Sequence, residues 1–283
     1  MGKRIAAITM ARNDSFFLSR WLRYYAAQLG ADNLYVLLDG LEQRLPDAER
    51  YPTVNVINME HQALPRTKGD KARIALINAV ASQLFFEKGY DLIIGTDCDE
   101  FVIVDPALNQ SLPDYLSSCD IPVGLSPLGI DLGQRIPQEQ AINPAFSILA
   151  QRRYAVVSPR YTKVSIKAIL TPWGSGFHRL RRYGFTIAQG LYLVHIGNCD
   201  LELLKTKMQD GTRLEGGWTK HLARRAKTIA ATTRSLPRPA DEVFTRARRR
   251  FERTRLPWAR KKPAHIGAPI VVELPQRFEE IFI

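Results

Sequence analysis

Over its first hundred residues this chain alternates short apolar runs with longer amphipathic ones, and each short run closes in polar residues. Arg4 to Met10 (RIAAITM) is β-prone and ends at Arg12-Asn13-Asp14, and Ser15 to Leu29 then carries Phe17, Trp21, Tyr24 and Tyr25 at helical spacing and stops at Gly30. Asn33 to Leu38 reads as a second strand closing at Asp39-Gly40, and Thr53 to Met59 as a third. Gly69 to Glu87 follows as an amphipathic helix with Ile74, Ile77, Val80, Ala81 and Leu84 on one face, before a buried strand, Tyr90 to Gly95. This order predicts an α/β fold with a mostly parallel central sheet. In such sheets ligands gather outside the carboxyl ends of the strands, the edge shared by Asn13, Asp14, Asp39 and the residues after Gly95. Past residue 120 the segments shorten (Val123 to Pro127, Ala155 to Ser158, Thr162 to Leu170, Leu191 to Ile196) and read as a second half with mixed strands.

The residues after Gly95 carry the chemistry. Asp97-Cys98-Asp99-Glu100 lies between the apolar runs LIIG and FVIV, where a plain surface turn gains nothing from so many acids and the carboxylates repel one another. Two carboxylates one residue apart at the end of a buried strand suit a hard divalent cation bound through oxygen. Mn2+ or Mg2+ on Asp99, with Asp97 assisting, would neutralise a diphosphate leaving group. A haloacid-type phosphohydrolase also uses Asp-x-Asp after a strand, but it wants a small hydroxyl residue where this chain has Phe101.

Several blocks together resemble glycosyltransferase family 2, in the bacterial branch with an Asp-x-Asp-Glu-Phe motif. They are ITMARNDSFFLSRWLRYYAAQLG, NLYVLLDG, KGDKARIALINA, TDCDEF, YTKVSIKAI and LVHIGNCDLELLKTKMQDG, in the family's order over roughly residues 3 to 215. The resemblance implies a GT-A-type fold and transfer of a sugar, with inversion, from a nucleoside-diphosphate donor, expected to be UDP-linked, to a glycan or lipid-linked acceptor. It places Asn13, Asp14 and Asp97 around the nucleotide, Asp39 facing the base, and the metal on Asp97 and Asp99, with the late His195 beside metal or phosphates. Asp14 stands where the family usually has Glu, and Asp200 where Ser is common.

Other candidates follow from residue type. Neutral imidazole suits a metal or phosphate neighbour, which nominates His195 and, secondarily, His178. An inverting transfer needs a carboxylate base near the acceptor hydroxyl; Asp131 is the first candidate and Glu139 the second. Lys68, Lys71 and Lys163 are candidates for the donor phosphates; the alternatives to an enzyme are a non-catalytic sugar- or nucleotide-binding relative, or a nucleic-acid-binding protein acting through the Arg-rich tail.

Charge is uneven. Of the formal net charge of +12, all resides between Lys220 and Lys262, where 15 Lys or Arg face 3 acids. This divides the chain into an expected catalytic domain, 1–219, and a basic, helical extension, 220–283. Within it Phe244, Ala247, Phe251 and Trp258 fall near one helical face, so residues 241–262 are a candidate for an anionic membrane surface. No helix-turn-helix, zinc-finger or RNP-like motif accompanies the charge, so no nucleic-acid partner is expected. No run reaches the roughly 18–20 apolar residues of a membrane span, and Arg12, Asn13 and Asp14 interrupt the first apolar run where a cleaved leader would continue. Three cysteines without metal-type spacing argue against a disulfide framework or a cysteine zinc site. The compartment expected is the cytoplasm, peripheral at the inner face of the membrane if the tail attaches.

Overall fold

The computed structural model describes residues 2–209, 219–255, 263–264 and 267–283; the side chains of 207–209 and 219–225 lie outside the description. The chain forms a mixed α/β structure around one large sheet. Strands β1 (Ile5–Ala11), β2 (Leu34–Asp39), β3 (Asn55–Met59) and β4 (Leu92–Gly95) pair β3-β2-β1-β4, every pair parallel. Helix α1 (Ser15–Leu29) spans the expected residues and stops at Gly30, whose φ of 84° suits a residue without a side chain. Helix α2 (Arg66–Phe86) begins three residues earlier than its periodicity indicates and buries Ile74, Ile77, Ala81 and Leu84. Because β1, β2 and β4 run the same way, Asn13, Asp39 and Asp97 follow strand ends at one edge.

Strand β5 (Glu100–Val104) follows the acidic turn directly and pairs antiparallel with β9 (Thr186–His195). The backbone of Val102 is held from α1: Tyr24 donates its hydroxyl to the Val102 carbonyl at 2.7 Å, and the Val102 amide donates to the Tyr25 hydroxyl at 2.9 Å. Trp21 Nε1 donates to Thr96 Oγ1 at 2.9 Å. The aromatic face read as helix packing thus grips the backbone on either side of the acidic turn.

The second half is mixed, as its short segments suggested. Strand β6 (Gly124–Leu132) pairs antiparallel with β7 (Tyr154–Val157) and β8 (Ile166–Lys167) and parallel with β9, while β8 joins β4 antiparallel. Of the run Thr162 to Leu170 only Ile166–Lys167 pair as strand, and Lys163 just before them reaches the acidic cluster. Helices α3 (Leu112–Ser118), α4 (Ile148–Gln151) and α5 (Leu201–Gln209) complete the part before residue 219.

The segment 220–283 contributes strand as well as helix. After helix α6 (Thr219–Arg234), the short strand β10 (Arg238–Pro239) pairs with β11 (Ile270–Glu273), and β11 pairs antiparallel with β7 in the same sheet. Its β-branched IVVE run explains the preference for strand. Helix α7 (Ala240–Arg253) buries Val243, Phe244, Ala247 and Phe251. Phe244 meets Tyr192 of β9 with ring centroids 4.6 Å apart, so the apolar face proposed for a membrane is covered by the protein itself. Trp258 and the rest of 256–262 lie outside the described residues. No helix among the described residues is long and apolar enough to cross a membrane.

Candidate active site

The site is assembled where the strand register aligns polar residues. Asp131 of β6 lies opposite His195 of β9, and His195 lies opposite Glu100 of β5, giving one row across three strands. The turn before Glu100 adds Asp97 and Asp99, so that ligand oxygens of Asp97, Asp99 and Glu100 lie within 4.8 Å of one another. Among the described residues this is the group of His, Cys, Asp or Glu side chains close enough to share a cation.

Two protein cations brace the cluster from behind. Arg73 of α2 donates to Asp97 Oδ1 at 2.5 Å, and buried Lys163 Nζ lies 2.7 Å from Glu100 Oε1 and 3.6 Å from Asp97 Oδ2. Glu100 Oε2 accepts the Asp97 amide at 3.1 Å, so Glu100 is turned into the fold and supports the turn. Burial would raise the Asp97 pKa, but Arg73 and Lys163 overcome it and hold this carboxyl below its ordinary range. Burial would lower the Lys163 pKa, and Glu100 and Asp97 raise it instead, keeping the ammonium charged. Glu100 is pushed up to about 7 by burial, with Lys163 opposing and the Asp97 and Asp99 charges adding to the rise. The rise is thus chiefly the cost of burying this carboxyl, which the nearby lysine only partly offsets.

His195 sits between two carboxylates. Its Nε2 is 3.3 Å from Asp99 Oδ2 and its Nδ1 is 2.7 Å from Asp131 Oδ1, while Tyr161 stacks on the ring with centroids 4.0 Å apart. Burial disfavours the imidazolium, but Asp99 and then Asp131 outweigh it and raise the pKa to about 9. Gly197 keeps the space between the two side chains open: a Cβ there would press on Asp99 Oδ2 and stand 2.7 Å from His195 Nε2.

These features fit a divalent cation. The donors are carboxylate oxygens with an imidazole beside them, and a side chain at Gly197 would fill the cradle. Asp97 and Asp99 would hold such an ion, with His195 reached through Asp99; Glu100 is occupied by Lys163 and the Asp97 amide.

The other candidates separate clearly. Asn13, at φ 50°, is exposed and exchanges hydrogen bonds with Gln43, its amide donating to Gln43 Oε1 at 2.9 Å and its Oδ1 accepting from Gln43 Nε2 at 2.8 Å. Asp14 occupies the N-cap position of α1 without a side-chain cap. Asp39 Oδ1 is 2.9 Å from His61 Nδ1, and Arg12 donates to the Asp39 carbonyl, so the strand-end rim includes two residues the sequence reading passed over. Lys68 and Lys71 are exposed on α2, and neither forms an ion pair among the described residues. Arg73 is the α2 cation that enters the cluster, a role signalled by its place one turn before buried Ile77, whereas Lys71 projects about 200° around the helix from it. His178 caps a 3-10 turn (Ser175–Phe177), and Phe177 of that turn lies beneath Lys163, its ring centroid 5.2 Å from Nζ.

The two carboxylates nominated as general base are both engaged. Glu139 accepts the amides of Arg135 and Arg153 at 2.7 and 2.8 Å and braces a loop. Asp131 is buried and accepts from His195, from Asn198 Nδ2 at 3.0 and 3.2 Å, and from Thr228 Oγ1 at 2.5 Å. Both oxygens of Asp131 are thus engaged by the protein's own donors. Asp200 is likewise structural: its Oδ1 accepts the Glu202 and Leu203 amides and caps α5, while Oδ2 pairs with buried Arg152 at 2.8 Å.

No protein-family profile and no curated protein sequence matches the chain. Among solved structures it is similar to a mannosyltransferase, PcManGT from Pyrobaculum calidifontis in complex with GDP-Man and Mn2+, at 13% identity and a TM-score of 0.38, covering 87% of this chain and 80% of that one. It is also similar to a mannose-1-phosphate geranyltransferase from Thermus thermophilus, at 11% identity and a TM-score of 0.33, covering 96% of this chain and 74% of that one.

Proposed function

We propose that this protein is a glycosyltransferase that moves a sugar with inversion from a nucleoside-diphosphate donor, UDP-linked by expectation, to a glycan or lipid-linked acceptor, assisted by Mn2+ or Mg2+. The observation that carries this reading is the Asp97–Glu100 turn. It is an oxygen-donor cluster at the carboxyl ends of parallel strands, braced by Arg73 and Lys163 and opening beside Gly197, where a side chain would fill the space. A divalent ion bound there supplies positive charge for a departing diphosphate.

The chain's own groups do the rest. Asp97 and Asp99 hold the ion, Arg73 and Lys163 keep Asp97 ionised, and His195 lies beside Asp99. The rim formed by Asn13, Asp39, His61 and Gln43 offers the donors and acceptors a nucleoside needs at the same edge. Incubation with UDP-sugars and Mn2+ is expected to release UDP, and the anomeric configuration of the product, read by NMR, is expected to be inverted. Release that is indifferent to chelation and to Asp99→Asn would overturn the reading.

Any attachment to an anionic membrane would be electrostatic. With the apolar face of α7 packed on β9, the exposed Arg246, Arg249, Arg250 and Arg253 recur at helical spacing along its outer side. Co-sedimentation with phosphatidylserine vesicles should then disappear in high salt and in a variant with these four arginines changed to glutamine. Binding that survives both changes would exclude this face.

A further inference from the structure

We infer that Asp131 is a positioning residue, clamped by Thr228 of the carboxy-terminal segment, and that it fixes the orientation in which His195 presents Nε2 to Asp99 and to a divalent cation. The inference deepens the proposed function and rests on its cation reading.

The carboxylate of Asp131 is held from three elements. Oδ1 faces His195 Nδ1 at 2.7 Å from β9, Asn198 Nδ2 spans both oxygens at 3.0 and 3.2 Å from the turn that follows, and Thr228 Oγ1 donates to Oδ2 at 2.5 Å from α6. Saturated with donors, it can only accept, so His195 Nδ1 carries a proton and Nε2 is the nitrogen turned toward Asp99, whose own proton a bound cation would displace. Stacking on Tyr161 fixes the plane of the ring. The hydrogen bond to Asp131 fixes which edge faces the cluster. A carboxylate behind a ligating histidine orients the ring and strengthens its basicity, the arrangement found behind metal-bound imidazoles.

That the carboxy-terminal helix is built to make this contact follows from how it is seated. Thr232 Oγ1 donates to the Gln134 carbonyl at 2.9 Å, and Arg135 donates to the carbonyls of Thr232 and Ser235 at 2.9 and 3.0 Å. Gly133, just past β6, allows the approach: a Cβ there would stand 2.8 Å from Thr232 Oγ1 and 3.0 Å from Thr228 Cγ2. The helix is therefore pinned to the end of the strand that bears Asp131. Residues 228–235 thus form part of the site's support, although they lie in the segment 220–283 read from sequence as an appended tail.

The test is calorimetric titration of Mn2+ into the full chain. Asp131→Asn is expected to weaken binding roughly 10–100-fold and Thr228→Val about tenfold, whereas Thr228→Ser, which restores the hydroxyl, is expected to bind like the wild type. At saturating Mn2+ the kcat of Thr228→Val should recover while the Mn2+ concentration required stays raised. A readout independent of metal is the Nδ1 proton of His195 by NMR, expected to be sharp in the wild type and exchange-broadened in Thr228→Val. Folded Thr228→Val that binds Mn2+ as tightly as the wild type and keeps the sharp proton would overturn the inference. Failure of the wild type to bind Mn2+ would instead remove the cation reading, and the His195 proton would still decide whether Thr228 and Asp131 position the ring.

Discussion

The strands within residues 2–95 and those after residue 120 belong to one sheet but are held by different forces. Residues 1–95 bury an almost wholly apolar set, with Thr9 and Arg20 as the buried polar exceptions. Beyond residue 120 the interior takes in Asp131, Arg152, Lys163, Lys167, His195 and Asp200, most paired across long stretches of sequence. Apolar packing tolerates small errors of placement, whereas a buried charge without its partner is costly. The first half is therefore a scaffold that delivers strand ends, and the second is a set of coupled polar contacts that shapes what those ends present.

The sharpest way to break this contrast is to remove one partner of a buried pair. Arg152→Met leaves Asp200 charged and buried and is expected to cost about 3–5 kcal/mol of stability by denaturant unfolding, because Arg152 holds both the Asp200 carboxylate and the Cys199 carbonyl. A loss below 1 kcal/mol would show that the second half is not organised around its charges. Next in size, Asp99→Asn should lower kcat roughly 10²–10³-fold in a protein that still folds, with some loss of stability because buried His195 loses its Asp99 partner.

Lys167 offers a pH test of the same contrast. Burial against Trp173, whose ring centroid is 4.1 Å from Nζ, lowers its pKa to about 7. Above that value the folded protein has released a proton that the unfolded chain keeps up to about 10.4, so stability should rise with pH between about 7 and 10. The lysine's penalty is fully present below about 7 and fades above it. Lys167→Met is expected to flatten that rise and to be more stable at pH 7 by a few kcal/mol at most; an unchanged pH profile would contradict the assignment. The smallest effect belongs to the scaffold side, where Tyr25→Phe leaves the Val102 amide without its acceptor and should cost about 1–3 kcal/mol.

The same division explains what the sequence revealed. Helix α1 was legible to its last residue because its signals are local: aromatic spacing, then a glycine that the backbone needs at φ 84°. The acidic turn was legible because acids between two apolar runs have few uses. Arg73 was missed among the cations of KGDKAR, although its spacing from Ile77 marks the helix face that turns inward. Asp131 carried no local sign of its role, since its partners His195, Asn198 and Thr228 lie 64 to 97 residues away and converge only through strand register and helix docking. Asp200 could have been read: an Asp directly before the run LELL is a helix start, and capping α5 is a task that serine performs equally well.

The central claim is that the Asp97–Glu100 turn binds a nucleoside diphosphate through a divalent cation. Thermal unfolding with UDP, GDP, CDP or ADP, each with and without Mn2+, tests it on the wild type and on Asp99→Asn. At about 100 times its dissociation constant a ligand adds about 2.7 kcal/mol, several degrees for a chain of this size. The account predicts stabilisation of the wild type by one of these nucleotides, with UDP foremost, only when Mn2+ is present and not in Asp99→Asn. No response to any nucleotide, or an equal response in Asp99→Asn, would contradict it.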